Sequence, residues 1–171
     1  MVEKINYSIL KKVGDIEIRS YPELIVAMVE GFSDNIAFGL LFNYISGGNK
    51  LNENINMTTP VINSQKIEMT SPVLSDKNYF AFIMPSSYDM NSIPIPLDPK
   101  IKIKSIPKRK LAVIRFGGYS NSNKIKKYKD KLLFELNSKK IKIVGEAFLM
   151  RYNSPFAPPF FRRNEIGVEV D

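Results

Sequence analysis

Residues Ile16–Pro22 read IEIRSYP, and residues Ile101–Pro107 read IKIKSIP. The two stretches stand 85 residues apart, and Ala27 and Ala112 keep that offset within LIVAMVEG and KLAVIRFGG. A helical stretch follows in each half, and both contain LLF, at Leu40–Phe42 and Leu132–Phe134. FAFIM (Phe80–Met84) and EAFLM (Glu146–Met150) come later still. The shared order of these matches points to a duplication in which each half runs strand, strand, helix, further strands. The period is too long for a solenoid. Two such halves predict one α+β domain over residues 1–171, with pseudo-two-fold βαββ-type halves of about 14–85 and 100–170. The stiff SIPIPLDP run makes the Pro-rich connection 86–99 between them.

Alternation carries the strand assignments. Ile101, Ile103 and Ser105 alternate with Lys102 and Lys104, which predicts one wet, basic face. Leu24–Val29 and Leu111–Phe116 are apolar on both faces and are expected at central places in the sheet. A second helix over about Lys124–Ser138 sets Ile125, Tyr128, Leu132 and Leu136 on one stripe and lysines around the rest. The first helix is different. It starts at Ser33 or Asp34, stops at Gly47–Gly48, and its body IAFGLLFNYI is apolar almost all round. A sheet covers only part of such a circumference, so a loop, a second subunit or an apolar ligand has to cover the remainder. The loop Ser154–Phe161, SPFAPPFF, is the nearest candidate wall or lid, and it would serve equally to close the core. The pentapeptide MT(T/S)PV occurs at Met57–Val61 and Met69–Val73. A hairpin turning near Ser64–Gln65, with Met57 opposite Pro72, is expected from this pair.

The inventory of reactive groups is narrow. The 171 residues include no Cys, no His and no Trp. Catalytic triads, Cys nucleophiles and ordinary zinc sites are therefore excluded. No Walker loop or dinucleotide fingerprint is present. Glu30, Glu146 and Glu165 remain as bases for a carboxylate-based hydrolase, but no acidic pair stands out, and a non-enzymatic role is the expectation. The net charge is +8, and it is uneven. Residues 1–85 carry 7 Lys/Arg against 9 Asp/Glu, and residues 86–171 carry 18 against 8. Those cations lie on a helix face and an alternating strand, without an aromatic platform, so nucleic acid is not an expected partner. The N-terminus lacks a signal-peptide core, and no apolar run approaches the ~18 residues of a membrane span. A soluble, cytoplasmic, basic protein is expected.

Several blocks together resemble the SOUL haem-binding family. They are Gly47–Gly48–Asn49, both MT(T/S)PV copies, the stretch 80–103 (FAFIMPSSYDMNSIPIPLDPKIKI), LAVIRFGGY at 111–119 and RYNSPFAPPFFRRNEIGVEV at 151–170. The resemblance spans roughly residues 14–170. It implies a twisted antiparallel sheet or open barrel with two main helices, shared with gyrase-inhibitor-like effector-binding domains. It also implies binding of haem or a related tetrapyrrole in an apolar groove beside the first helix. The implied contacts are Ile36, Phe38, Leu40, Phe42 and Tyr44 on that helix, Met57 and Met69 in the repeated motif, and Phe156, Phe160, Phe161, Arg162 and Arg163 at the late loop. A histidine axial ligand, used by some members, is absent here, and Met57, Met69 and Tyr44 are the remaining candidate donors. Where other members carry basic residues for the haem propionates, this chain has Ile36 and Pro158, leaving Arg162 and Arg163. Exposed ion pairs give only ~0.2–1 kcal/mol each. Apolar contact gives ~25 cal/mol per Å², so it is expected to dominate. Two alternatives stay open: another apolar or amphipathic small molecule in the groove, or a protein partner docked on the first helix.

Overall fold

The computed structural model describes residues 2–51 and 64–171. In chain order the elements begin β1 (Glu3–Lys4), β2 (Ser8–Val13), β3 (Ile16–Tyr21), β4 (Leu24–Glu30), α1 (Asp34–Ile45) and β5 (Asn49–Lys50). Then come β6 (Thr70–Ser71), β7 (Val73–Ser75), β8 (Tyr79–Ile83), β9 (Ile95–Pro96), β10 (Lys102–Ile106) and β11 (Arg109–Gly117). The chain closes with α2 (Ser122–Ser138), β12 (Phe148–Arg151), a 3-10 turn at Pro159–Phe161 and β13 (Arg163–Val170). Nine strands form one curled antiparallel sheet in the order β10-β4-β8-β7-β12-β13-β11-β3-β2. The α+β class, the antiparallel sheet and the two main helices are as expected.

The sheet order adds something to the duplication. Read from its two ends, β10-β4-β8-β7 answers to β3-β11-β13-β12, with β2 appended. The first strand of each half therefore pairs with the second strand of the other half. Ile18 lies opposite Ala112, and Ile103 lies opposite Ala27. The IEIRSYP and IKIKSIP stretches are thus exchanged arms, and the halves interlock. The same order shows that FAFIM and EAFLM are not equivalent. FAFIM lies on β8, whose counterpart is β13, whereas EAFLM runs into β12, whose counterpart is β7. Short apolar runs recur in any sheet buried on both faces.

Alternation sorts the strand residues onto two faces. On one face α1 packs against Ala27 and Val29 of β4 and Phe80 and Phe82 of β8. Also on that face, α2 sets Leu132 and Leu136 against Ile16, Ile18, Ile114 and Val168. The opposite face carries a third core that crosses both halves, with Val26, Met28, Ala81, Ile83, Leu111 and Val113 at its centre. Leu24–Glu30 and Arg109–Gly117 each have strands on both sides, as their double-faced apolarity predicts. The second helix starts two residues before the expected Lys124, because the Asn121 side chain accepts the Lys124 N–H at 2.9 Å and caps it.

The first copy of the repeated pentapeptide, including Met57, lies outside the described residues, as does the hairpin expected there. The second copy supplies Thr70–Ser71, which pairs in parallel with β1.

Candidate functional site

The first helix buries less of itself than its composition suggests. Ala37, Leu41, Tyr44 and Ile45 point into the core. Phe38 and Leu40 are half-buried, and Ile36 and Phe42 are 56% and 50% exposed. Phe38 meets Phe82 edge-on at 5.5 Å and stacks on Phe42 at 5.8 Å, so it joins the core to the outer surface. Tyr44 does not belong to that outer surface. It is fully buried, its hydroxyl donates to the Pro94 carbonyl at 2.7 Å, and burial holds its phenol well above the ordinary range. Met69 is half-buried against the α1 core.

The helix is fixed at its C-terminal end by the Gly47–Gly48–Asn49 turn. Gly47 has φ +125°, which favours glycine, and a Cβ on Gly48 would meet the Asn43 carbonyl oxygen at 2.9 Å. Asn49 is fully buried. Its amide donates to the Tyr44 and Gln65 carbonyls, and its oxygen accepts the Gln65 N–H. This clamp ties the helix end to Gln65. The sequence marked the turn as part of the resemblance but not this role for Asn49.

The Pro-rich loop leaves β12 and returns into β13. Phe156, Phe160 and Phe161 do not close the core; they stand 95%, 79% and 70% exposed. Arg162 braces the loop from below. Its Nε donates to the Ala157 carbonyl at 2.7 Å, another guanidinium nitrogen bonds the Pro155 carbonyl, and the group lies 4.6 Å over the Tyr119 ring. Arg163, one residue on, faces the opposite side of the sheet and joins no surface with α1.

Between the helices lies a cavity of about 230 Å³, lined in part by Asp34, Ile125, Lys129, Leu149 and Arg151. Arg151 organises it, donating to Asp34 at the start of α1, to Ser75 and to Ser120 just before α2. Sequence reading missed Arg151, since one arginine ending a strand carries no signal. The volume falls below the ~300 Å³ at which ligand pockets usually begin.

The other face carries a buried ion cluster. Glu165, with no side-chain exposure, accepts both amino groups of Arg19 at 2.8 and 3.0 Å and Arg163 at 2.7 Å. Arg19 also bonds the Tyr21 hydroxyl, and Arg163 bonds the Tyr7 hydroxyl. Burial pushes the Glu165 carboxyl up, but hydrogen bonds and charge from Arg19 and Arg163 outweigh it and leave it below its ordinary value. Glu30 is lowered by its bonds to Lys102 and Lys104. Glu146 pairs with Lys77 at 3.5 Å. A general base working near neutrality needs a raised carboxylate. Glu30 and Glu165 are both shifted the other way.

The family described as SOUL heme-binding protein matches residues 2–169. No curated protein matches the sequence. Among solved structures, the crystal structure of the EcmrR C-terminal domain superposes with a TM-score of 0.60 at 14% identity, covering 96% of this chain and 98% of that one. The cryo-EM structure of an EcmrR–DNA complex gives 0.58 at 12% identity, over 91% of this chain and 57% of that one. At these identities the likeness concerns the fold alone.

Proposed function

This chain belongs to the SOUL heme-binding protein family, and on that footing we propose that it binds haem or a related tetrapyrrole against the outward surface of α1. The supporting observation is the exposure of Phe42, stacked on the half-buried Phe38, together with Ile36 exposed on the other flank of the helix. The Pro-rich loop stands beside the start of α2, and α1 supplies the proposed surface. The donor set favours contact over ligation. The chain has no His or Cys, and the Tyr44 hydroxyl is engaged by Pro94. Among the described residues Met69, half-buried against the α1 core, is the donor that remains, and the exposed apolar groups fit the flat face of a macrocycle. At ~25 cal/mol per Å², apolar contact supplies most of the affinity and charge orients the propionates.

Titration of the protein with haemin, followed in the Soret band, tests this reading, and metal-free protoporphyrin is the informative companion. Both should saturate, with dissociation constants within a few-fold of each other. No saturable change with either at micromolar protein would end the proposal. Strong binding of haemin alone would overturn the contact mode. A second reading, another flat apolar molecule on the same surface, is favoured by Ile36 and Pro158 where the resemblance leads one to expect basic residues. Native mass spectrometry of protein taken from cells separates the two by the mass retained.

A further inference from the structure

The Pro-rich loop holds its aromatic residues out in water at a cost that a plain connection would avoid. Phe156 is almost entirely exposed, Phe160 and Phe161 are largely so, and Tyr119 is 57% exposed. Contiguous apolar exposure of this kind marks an interaction surface. The loop is also stiff. It contains Pro155, Pro158 and Pro159. Ala157 N–H bonds the Ser154 carbonyl, Phe161 N–H bonds Pro158, and Arg162 braces Pro155 and Ala157 from within. The phenyl rings are therefore presented in a set shape and do not collapse onto the protein.

The chain segments that flank this tip in sequence are cationic. Residues 109–129 and 151–163 contain no Asp or Glu. Gly117 lies against the Arg162 carbonyl and also accepts a hydrogen bond from the Lys124 ammonium at 2.5 Å, so the start of α2 sits beside the base of the loop. Lys127 is exposed on α2 beside it, whereas Arg115 is exposed on the other face of the sheet, in register with Glu165. A projecting aromatic wedge with the lysines of α2 beside it complements a surface with an apolar interior and anionic headgroups. Nucleic acid would call for a flat stacking platform rather than a wedge.

We infer that this loop is a membrane-contact wedge. Phe156, Phe160 and Phe161 enter the headgroup region of an anionic bilayer, while Lys127 and the neighbouring lysines of α2 face the lipid phosphates and carboxylates. The inference does not rest on tetrapyrrole binding, and it is measured without any tetrapyrrole.

The full chain is sedimented with vesicles of phosphatidylcholine alone and with vesicles containing phosphatidylserine. Partition onto the phosphatidylserine vesicles, weakened by added salt, is expected. A Phe156→Ser, Phe160→Ser double variant should lose roughly tenfold or more of that partition, since both rings leave water on binding. Separately, Phe160→Trp should shift its emission to the blue on anionic vesicles. Absence of partition onto either vesicle would overturn the inference. So would equal partition of the double variant and the parent, which would reduce the effect to net charge. A haemin titration of the parent in vesicle-free buffer reports independently on the proposed ligand.

Discussion

Glu165 keeps its charge at zero side-chain exposure because two guanidiniums close around it. Such a cluster is fixed by its weakest member. Arg19→Met leaves a buried carboxylate with half its partners, and breaking a buried pair this way costs ~3–5 kcal/mol. Urea denaturation should show that loss, and a change under 1 kcal/mol would mean that water reaches the site. The cluster also sets an acid limb. The folded Glu165 carboxyl lies below its ordinary 4.5, so its contribution is complete above that pH and is lost as pH falls through the folded value. Glu165→Gln should therefore flatten stability against pH in the acid range while lowering it at neutrality. None of this was legible in sequence. Arg19 reads as the wet side of an alternating strand, yet it is 3% exposed, because the face opposite the helices is itself a core.

On α1 the inward residues are structural, and the exposed Ile36 and Phe42 are the proposed contacts. Leu41→Ala should cost ~2–5 kcal/mol through an unfilled core site. Ile36→Ser combined with Phe42→Ser should leave the melting temperature nearly unchanged. The same pair should weaken haemin about tenfold or more, from the apolar area withdrawn from contact. Equal haemin affinity in that double variant would move the ligand away from α1. The types of the elements were largely readable, since periods of 2 and 3.6 are imposed by local backbone geometry. The strand Ser8–Val13 was not read, and the reason is physical. It is an edge strand with mostly exposed residues and a bulge between Ile9 and Lys11, so no burial rhythm marks it. Within α1 the sequence showed that something apolar stood uncovered, but not that Ile36 and Phe42 were the residues left out.

For the molecule as a whole, the exchanged arms make each half incomplete. Strand β3 lends Ile16 and Ile18 to the core under α2, and β10 closes the free edge of β4. A fragment of residues 100–171 should therefore lack cooperative folding by circular dichroism, whereas the full chain should melt in one transition. A well-dispersed NMR spectrum from that fragment would refute the interlock. No helix among the described residues is long and apolar enough to cross a membrane.

The repeat at offset 85, the helix and strand types and the family blocks were all present in the order of residues, because each depends on neighbours along the chain. Partner choice was not. Which half each arm joins, which side Arg163 faces and whether the loop phenylalanines are buried or exposed depend on groups far away in sequence. Ile18 meets Ala112 across most of the chain's length, and no local period records such a meeting.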